Sequence, residues 1–100
     1  MEHNTLRLSG ILEKQHPVRV SPAGVPQQDL LVAHRSLQRE AGLPREARAS
    51  VTVHLAGDLV RQASSLVPGD RVLVEGFLAM ASHRDTDRLV LHAQTLNKQD

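Results

Sequence analysis

Cysteine is absent from the 100 residues, so neither a disulfide framework nor a thiolate metal site can be built. Tryptophan and tyrosine are missing as well, and Phe77 is the only residue of the Phe, Trp and Tyr class. A core must therefore consist of aliphatic side chains, a single layer of valine and leucine between curved sheets. No run approaches the roughly 20 apolar residues of a membrane span. The start, MEHNTLRLSG, has no apolar segment behind a basic one, which argues against a signal peptide. These absences predict a soluble, cytoplasmic protein. Lysine is scarce too: of the 12 cationic residues only Lys14 and Lys98 are lysine, the rest arginine. Arginine pairs with phosphate and stacks on bases, but a GC-rich genome favours the same codons, so composition leaves both explanations open.

Catalytic signatures are also lacking. The six histidines, His3, His16, His34, His54, His83 and His92, never form a close pair in sequence, and no H-E-x-x-H motif occurs. That predicts packed or solvent-facing imidazoles and no metal ligands. Asp85 and Asp87 sit beside Arg84 and Arg88 in a polar stretch, which fits a charge-balanced loop better than a pair of acid/base carboxylates. Glu75 stands alone, no G-x-S-x-G elbow is present, and the glycines form no phosphate-binding loop. The expectation is a protein that is not an enzyme and uses no cofactor.

What is present is period-two patterning, within a length that fits one domain, residues 1–100. NTLRLSGIL sets Leu6, Leu8 and Leu12 against Arg7, Ser9 and Glu13, a half-buried strand that Gly10 allows to bend. Pro22, Gly24 and Pro26 then mark a loop. QDLLVAHRS is a second strand with Leu30, Val32 and His34 on one face. LQREAGLPREAR starts with helix formers but meets Gly42 and Pro44, so a long, mobile, basic loop with at most a helical turn is expected. ASVTVHL turns Val51, Val53 and Leu55 inward. GDLVRQASSLV spaces Leu59, Val60, Ala63 and Val67 as a short helix. In RVLVEGFLAM, Val72, Val74, Leu78 and Met80 face inward, and Gly76 occupies an inward position where a barrel corner needs room. RLVLHAQTL closes the chain after the loop SHRDTD. Five strands with bends and one short helix between the third and fourth predict an all-β, five-stranded Greek-key barrel of the oligonucleotide/oligosaccharide-binding (OB) type, with a half-barrel or sandwich as the structural rival.

The chemistry left over is arginine on loops and exposed strand positions. Arg19 lies in the first loop, Arg35 ends the second strand, and Arg39, Arg45 and Arg48 lie in or beside the second loop. Arg84 and Arg88 flank the last. On an OB barrel, strands two and three with their flanking loops track an oligonucleotide backbone. Solubility alone also accounts for surface arginines. With Phe77 as the one ring for base stacking, binding to single-stranded DNA is expected to be electrostatic and weakly sequence-dependent.

RVSPAGVP (19–26), HRSLQREAG (34–42), VEGFL and LVLHA together resemble the bacterial primosomal replication protein N (PriB) family, related to single-stranded DNA-binding protein, from about Leu6 to Leu96. The resemblance implies a homodimeric OB fold that binds single-stranded DNA in replication restart, stabilises the PriA helicase and helps recruit DnaT. It carries DNA contact to Arg19, Arg35, His83, Arg84 and Arg88; Arg45 and Arg48 join the candidate DNA-binding set from their place in or beside the second loop, not from the resemblance. It places dimer pairing on the first strand, Leu6, Leu8, Ile11 and Leu12, with Leu73 and Phe77. Two departures stand out. Leu43 and Arg48 replace an aromatic and a tryptophan of the family, and Asp85 and Asp87 sit among the bases of a loop that is elsewhere richer in lysine. Both imply weaker DNA binding than an aromatic-bearing relative. The rival role is an adaptor for the helicase with vestigial DNA affinity; a small hydrolase is the third.

Overall fold

Each stretch of period-two alternation forms a strand in the computed structural model, which describes residues 1–100. In chain order these are β1 (Leu6–Gln15), β2 (Arg19–Val20), β3 (Pro26–Glu40), β4 (Leu43–Ala56), helix α1 (Asp58–Ala63), β5 (Arg71–Met80) and β6 (Leu89–Gln99). β1 pairs with β5 through its first half and with β3 through its second, shifting register between Leu12 and Lys14. β5 pairs with β6, and β6 runs parallel to β4 at Val53–Leu91 and His54–His92. Since β4 pairs with β3, the five long strands close into a ring, as an OB fold requires. The two-residue β2 adds to the outer edge of β3 inside what reads as a loop in sequence.

The ring encloses the aliphatic layer. Leu12, Leu30, Val32, Val53, Leu55, Val72, Val74 and Leu91 are fully buried, and Val60, Ala63 and Leu66 bring α1 over the enclosed side chains. Each such side chain contributes about 1.5–3 kcal/mol on burial. Gln15 ties that end shut by donating from Nε2 to the Leu66 carbonyl at 3.0 Å. Gly76 is buried at the bulge where β5 and β6 shift register. A Cβ there would run into the carbonyl oxygen of His92, with the carbonyl carbon only 2.8 Å away, so only glycine lets β6 approach this closely. Gly10 has the same role against β3, where a Cβ would meet the Ala33 carbonyl oxygen and Val32 Cγ1 at 2.8 Å.

Three expectations need correction. Residues 37–48 do not form a mobile loop: they continue β3 and β4 as paired strands joined by the two-residue turn Ala41-Gly42. Both turn residues have positive φ, 53° and 79°, the handedness that matches strand twist in a tight hairpin. Gly42, which would stop a helix, here makes the turn. The arm projects past the ring, because β1 follows β3 only as far as Ala33 and β6 pairs with β4 only at Val53 and His54. Fifteen residues of β3 at about 3.3 Å each account for the 49 Å length of the molecule. Val67 is 58% exposed, and Leu66 takes the buried place, because α1 ends at Ala63 and the chain turns before Val67. Met80 is 46% exposed opposite Leu89, beyond the rim of the ring, where the pleat still alternates but nothing remains to cover it.

Candidate nucleic-acid interface

Pleating decides which of the predicted cations share a face. The β3–β4 register pairs Asp29 with His54, Leu31 with Thr52, Ala33 with Ser50, Arg35 with Arg48 and Leu37 with Glu46. These are the outward positions, since the alternate residues Leu30, Val32, Val53 and Leu55 are core. Arg19 pairs with Gln27 on β3 and so joins the same outward row. Arg45 pairs with Gln38 one position out of phase, which puts it on the opposite face of the arm, bonded to Glu40 at 3.2 Å. The reading that grouped Arg45 with Arg48 is thereby corrected: three residues apart in a strand means opposite sides.

Two open clefts lie along this face. Ala33, Arg35, Arg48 and Ser50 floor one of about 740 Å³, whose other side is Ser9, Ile11 and Arg71. Arg19, Asp29, Thr52, His54, His92 and Arg88 line the second, of about 500 Å³, with Ser82 and Asp85 of the β5–β6 loop. Ser50 and Thr52 are successive outward positions of β4, so the clefts follow one another along the hairpin. Arg19, Arg35, Arg48 and Arg88 thus lie along one continuous strip. His83 and Arg84 belong to the β5–β6 loop but do not line its cleft. Ser82 organises that loop by accepting from the Arg84 and Asp85 backbone N–H groups at 3.3 and 3.1 Å.

Carboxylates accompany the cations. Glu46 Oε1 accepts from Arg35 Nε at 2.7 Å and from Arg48 Nε at 2.6 Å, holding together two guanidinium groups that the register sets directly opposite each other. Arg19 lies 3.8 Å from Asp29, and Arg88 lies 3.9 Å from Asp85. All four arginines are more than half exposed, so these pairs are weak and exchangeable.

A second row crosses the sheet. Phe77 stacks on His92, with centroids 5.2 Å apart and planes within 5°. His92 lies 5.1 Å from His54. His54 Nδ1 donates to Asp29 Oδ1 at 2.8 Å. Burial holds the His92 imidazole below its ordinary pKa, proximity to His54 pushes the same way, and Asp29 acts against them. Sequence reasoning missed His54, His92, Asp29, Glu46 and Arg71. The two histidines are 38 positions apart and meet only through the parallel β4–β6 register, for which the sequence has no local signal. Glu46 was detectable only once the arm was known to be paired strand, and Asp29 lies in a strand already read as such but meets His54 only through the β3–β4 register.

The predicted dimer residues divide as well. Leu12 is fully buried, and Leu6 and Leu8 pack against the core, so these three face into the ring and away from any partner. Ile11 and Leu73 alternate with them to the outside, and Phe77 faces outward with one ring face covered by His92.

A closed five-stranded ring with a basic strip over its β3–β4 hairpin defines an OB-fold protein. Residues 4–95 match the family described as "Another single-strand binding protein family". The replication restart protein PriB of Photorhabdus laumondii is 39% identical, over 96% of this chain and 93% of its own. Among solved structures, the PriB of Ralstonia solanacearum superposes with a TM-score of 0.87 at 28% identity, covering 99% of this chain and all of the other. The small single-stranded DNA-binding protein of Streptomyces coelicolor shares the fold, with a TM-score of 0.75 over 99% of this chain and 96% of its own, at 20% identity. The chain belongs to this single-strand binding protein family, together with the replication restart protein PriB. No helix is long and apolar enough to cross a membrane.

Proposed function

We propose that this protein is a non-catalytic, cytoplasmic accessory of replication restart that binds single-stranded DNA, stabilises the PriA helicase on it and helps recruit DnaT. One observation carries the DNA-binding part: Arg19, Arg35, Arg48 and Arg88, from four separate segments, line one strip along the β3–β4 hairpin. His83 and Arg84 extend it through the β5–β6 loop. A backbone of phosphates rests there by charge, with little base readout, because no phenylalanine, tyrosine or tryptophan lines either cleft. The working unit is a homodimer whose apolar contact comes from Ile11, Leu73 and Phe77. Fluorescence anisotropy with a single-stranded oligonucleotide at several salt concentrations tests the reading. The logarithm of the affinity should fall with log salt by about 0.7 per phosphate contacted, and a flat response refutes it.

A second reading, an adaptor for the helicase with vestigial DNA affinity, draws on the carboxylate beside each strip arginine. Arg35→Ala and Arg48→Ala separate the two. Loss of DNA binding with helicase stimulation intact favours the adaptor, and parallel loss of both favours the DNA-binding role.

A further inference from the structure

The cleft between β2, β4, β6 and the β5–β6 loop contains more than arginine. His54 and His92 stand side by side on its floor, 5.1 Å between ring centroids, with Arg19 and Arg88 at its sides. Asp29 fixes the tautomer of His54: a carboxylate only accepts, so the proton of the neutral ring is on Nδ1. Nε2 is then a bare lone pair, which repels a phosphate oxygen. When His54 is protonated, Nε2–H becomes a charge-assisted donor. The His92 ring has Phe77 on one side and His54 on the other and makes no side-chain hydrogen bond within the chain, so its nitrogens are available to the cleft.

We propose that this cleft is a phosphodiester subsite in which His54 and His92 bind a backbone phosphate together with a proton taken up from solvent. The inference rests on the single-stranded DNA reading above and adds two contacts and a proton to it. The charged groups facing the pair are Asp29 from β3, Arg19 from β2, and Asp85 and Arg88 from the loop; Phe77 on β5 is neutral. Asp29 is committed to His54 and Arg19, and Asp85 to Arg88, so an incoming phosphate meets a set of groups that is cationic once the imidazoles charge. The depressed pKa of His92 agrees with this: the ring stays neutral near pH 7 until an anion arrives to compensate its charge.

The test is the affinity for an oligothymidylate of about 15 nucleotides at about pH 5.5 and about pH 7.5 at constant ionic strength. Neither thymine nor the phosphodiester titrates in that range. The wild-type protein should bind about tenfold tighter at the lower pH. In a His83→Gln background, which removes the imidazole of the β5–β6 loop, His54→Gln with His92→Gln should reduce that gain to less than about threefold, whereas His3→Gln, at the exposed N-terminus, should keep it whole. Calorimetry of the wild-type protein in two buffers of different ionisation enthalpy should register net proton uptake near pH 6.5, a readout that does not depend on the variants folding. A gain that survives in the double variant, or zero proton uptake, overturns the subsite and leaves DNA binding standing. No binding at either pH overturns both.

Discussion

Glu46→Gln should strengthen DNA binding while weakening the fold. Glu46 Oε1 sits 2.7 Å from Arg35 Nε and 2.6 Å from Arg48 Nε, the position a phosphate oxygen would occupy between the same two groups. A phosphate must displace or share that carboxylate before it gains either arginine. Exposed pairs of this kind contribute about 0.2–1 kcal/mol each, so two of them oppose binding by about 0.4–2 kcal/mol. Removing the charge should therefore tighten an oligonucleotide about 2- to 30-fold at low salt. The salt slope should steepen by up to about 1.4, or 0.7 for each released guanidinium that meets a phosphate. Stability should move the other way. The register sets Arg35 directly across from Arg48, and without Glu46 the two like charges repel. A loss of about 0.5–1 kcal/mol corresponds to a melting temperature lower by about 2–8 °C. Anisotropy titrations at two salt concentrations and a thermal melt measure both effects. Unchanged or weaker DNA binding by a folded Glu46→Gln variant would refute the reasoning that the carboxylate competes with the ligand.

Other perturbations probe the frame beneath the strip. Gly76→Ala should cost at least about 2 kcal/mol in urea unfolding, because the new Cβ meets the backbone of His92 and a β-strand must move; a variant as stable as wild type would contradict the corner. Ala41→Asn should stabilise by about 0.5–1 kcal/mol, since asparagine tolerates the positive φ of 53° better than alanine, and a lower melting temperature would count against the tight turn. His92 is depressed in the folded state, so below its ordinary pKa of 6.5 the unfolded chain binds a proton that the folded chain resists. Its contribution to stability is therefore present above 6.5, falls as pH drops, and is fully lost only below the depressed folded-state value. His92→Gln should flatten that part of the stability–pH curve, and an unaltered curve would show that the ring is not responsible.

Legibility in the sequence followed burial. In β1, the inner half of β4, and β5, one face of the strand meets the core, so the apolar alternation at Leu6 and Leu8, at Val51, Val53 and Leu55, and at Val72 and Val74 marked both the element and its inward side. The same logic located Gly76, because a glycine in an inward position of such a run has to make room for something. The outer arm left no such trace. From Ser36 to Ala47 both faces of the hairpin are open to water, apart from the partly covered Ser36 and Ala47, so nothing selects for alternation. Its residues read as a loop although they are the distal end of the β3–β4 hairpin, the longest paired segment of the chain. Met80 and Val67 failed for the converse reason: the pattern ran on past the point where there was core to face.

The arginines, the scarcity of lysine beside them and the restriction of stacking rings to Phe77 were all determined by the sequence alone, and with them the electrostatic character of any nucleic-acid contact. Which arginines act together was decided by the tertiary structure. Strand parity sent Arg45 to the far side and aligned Arg35 with Arg48, and the parallel closure of β6 on β4 brought His92 to His54 across 38 positions. The physical reason is that side-chain identity sets charge locally, whereas position on a face depends on register, and register is fixed by pairings between distant segments that no local window contains.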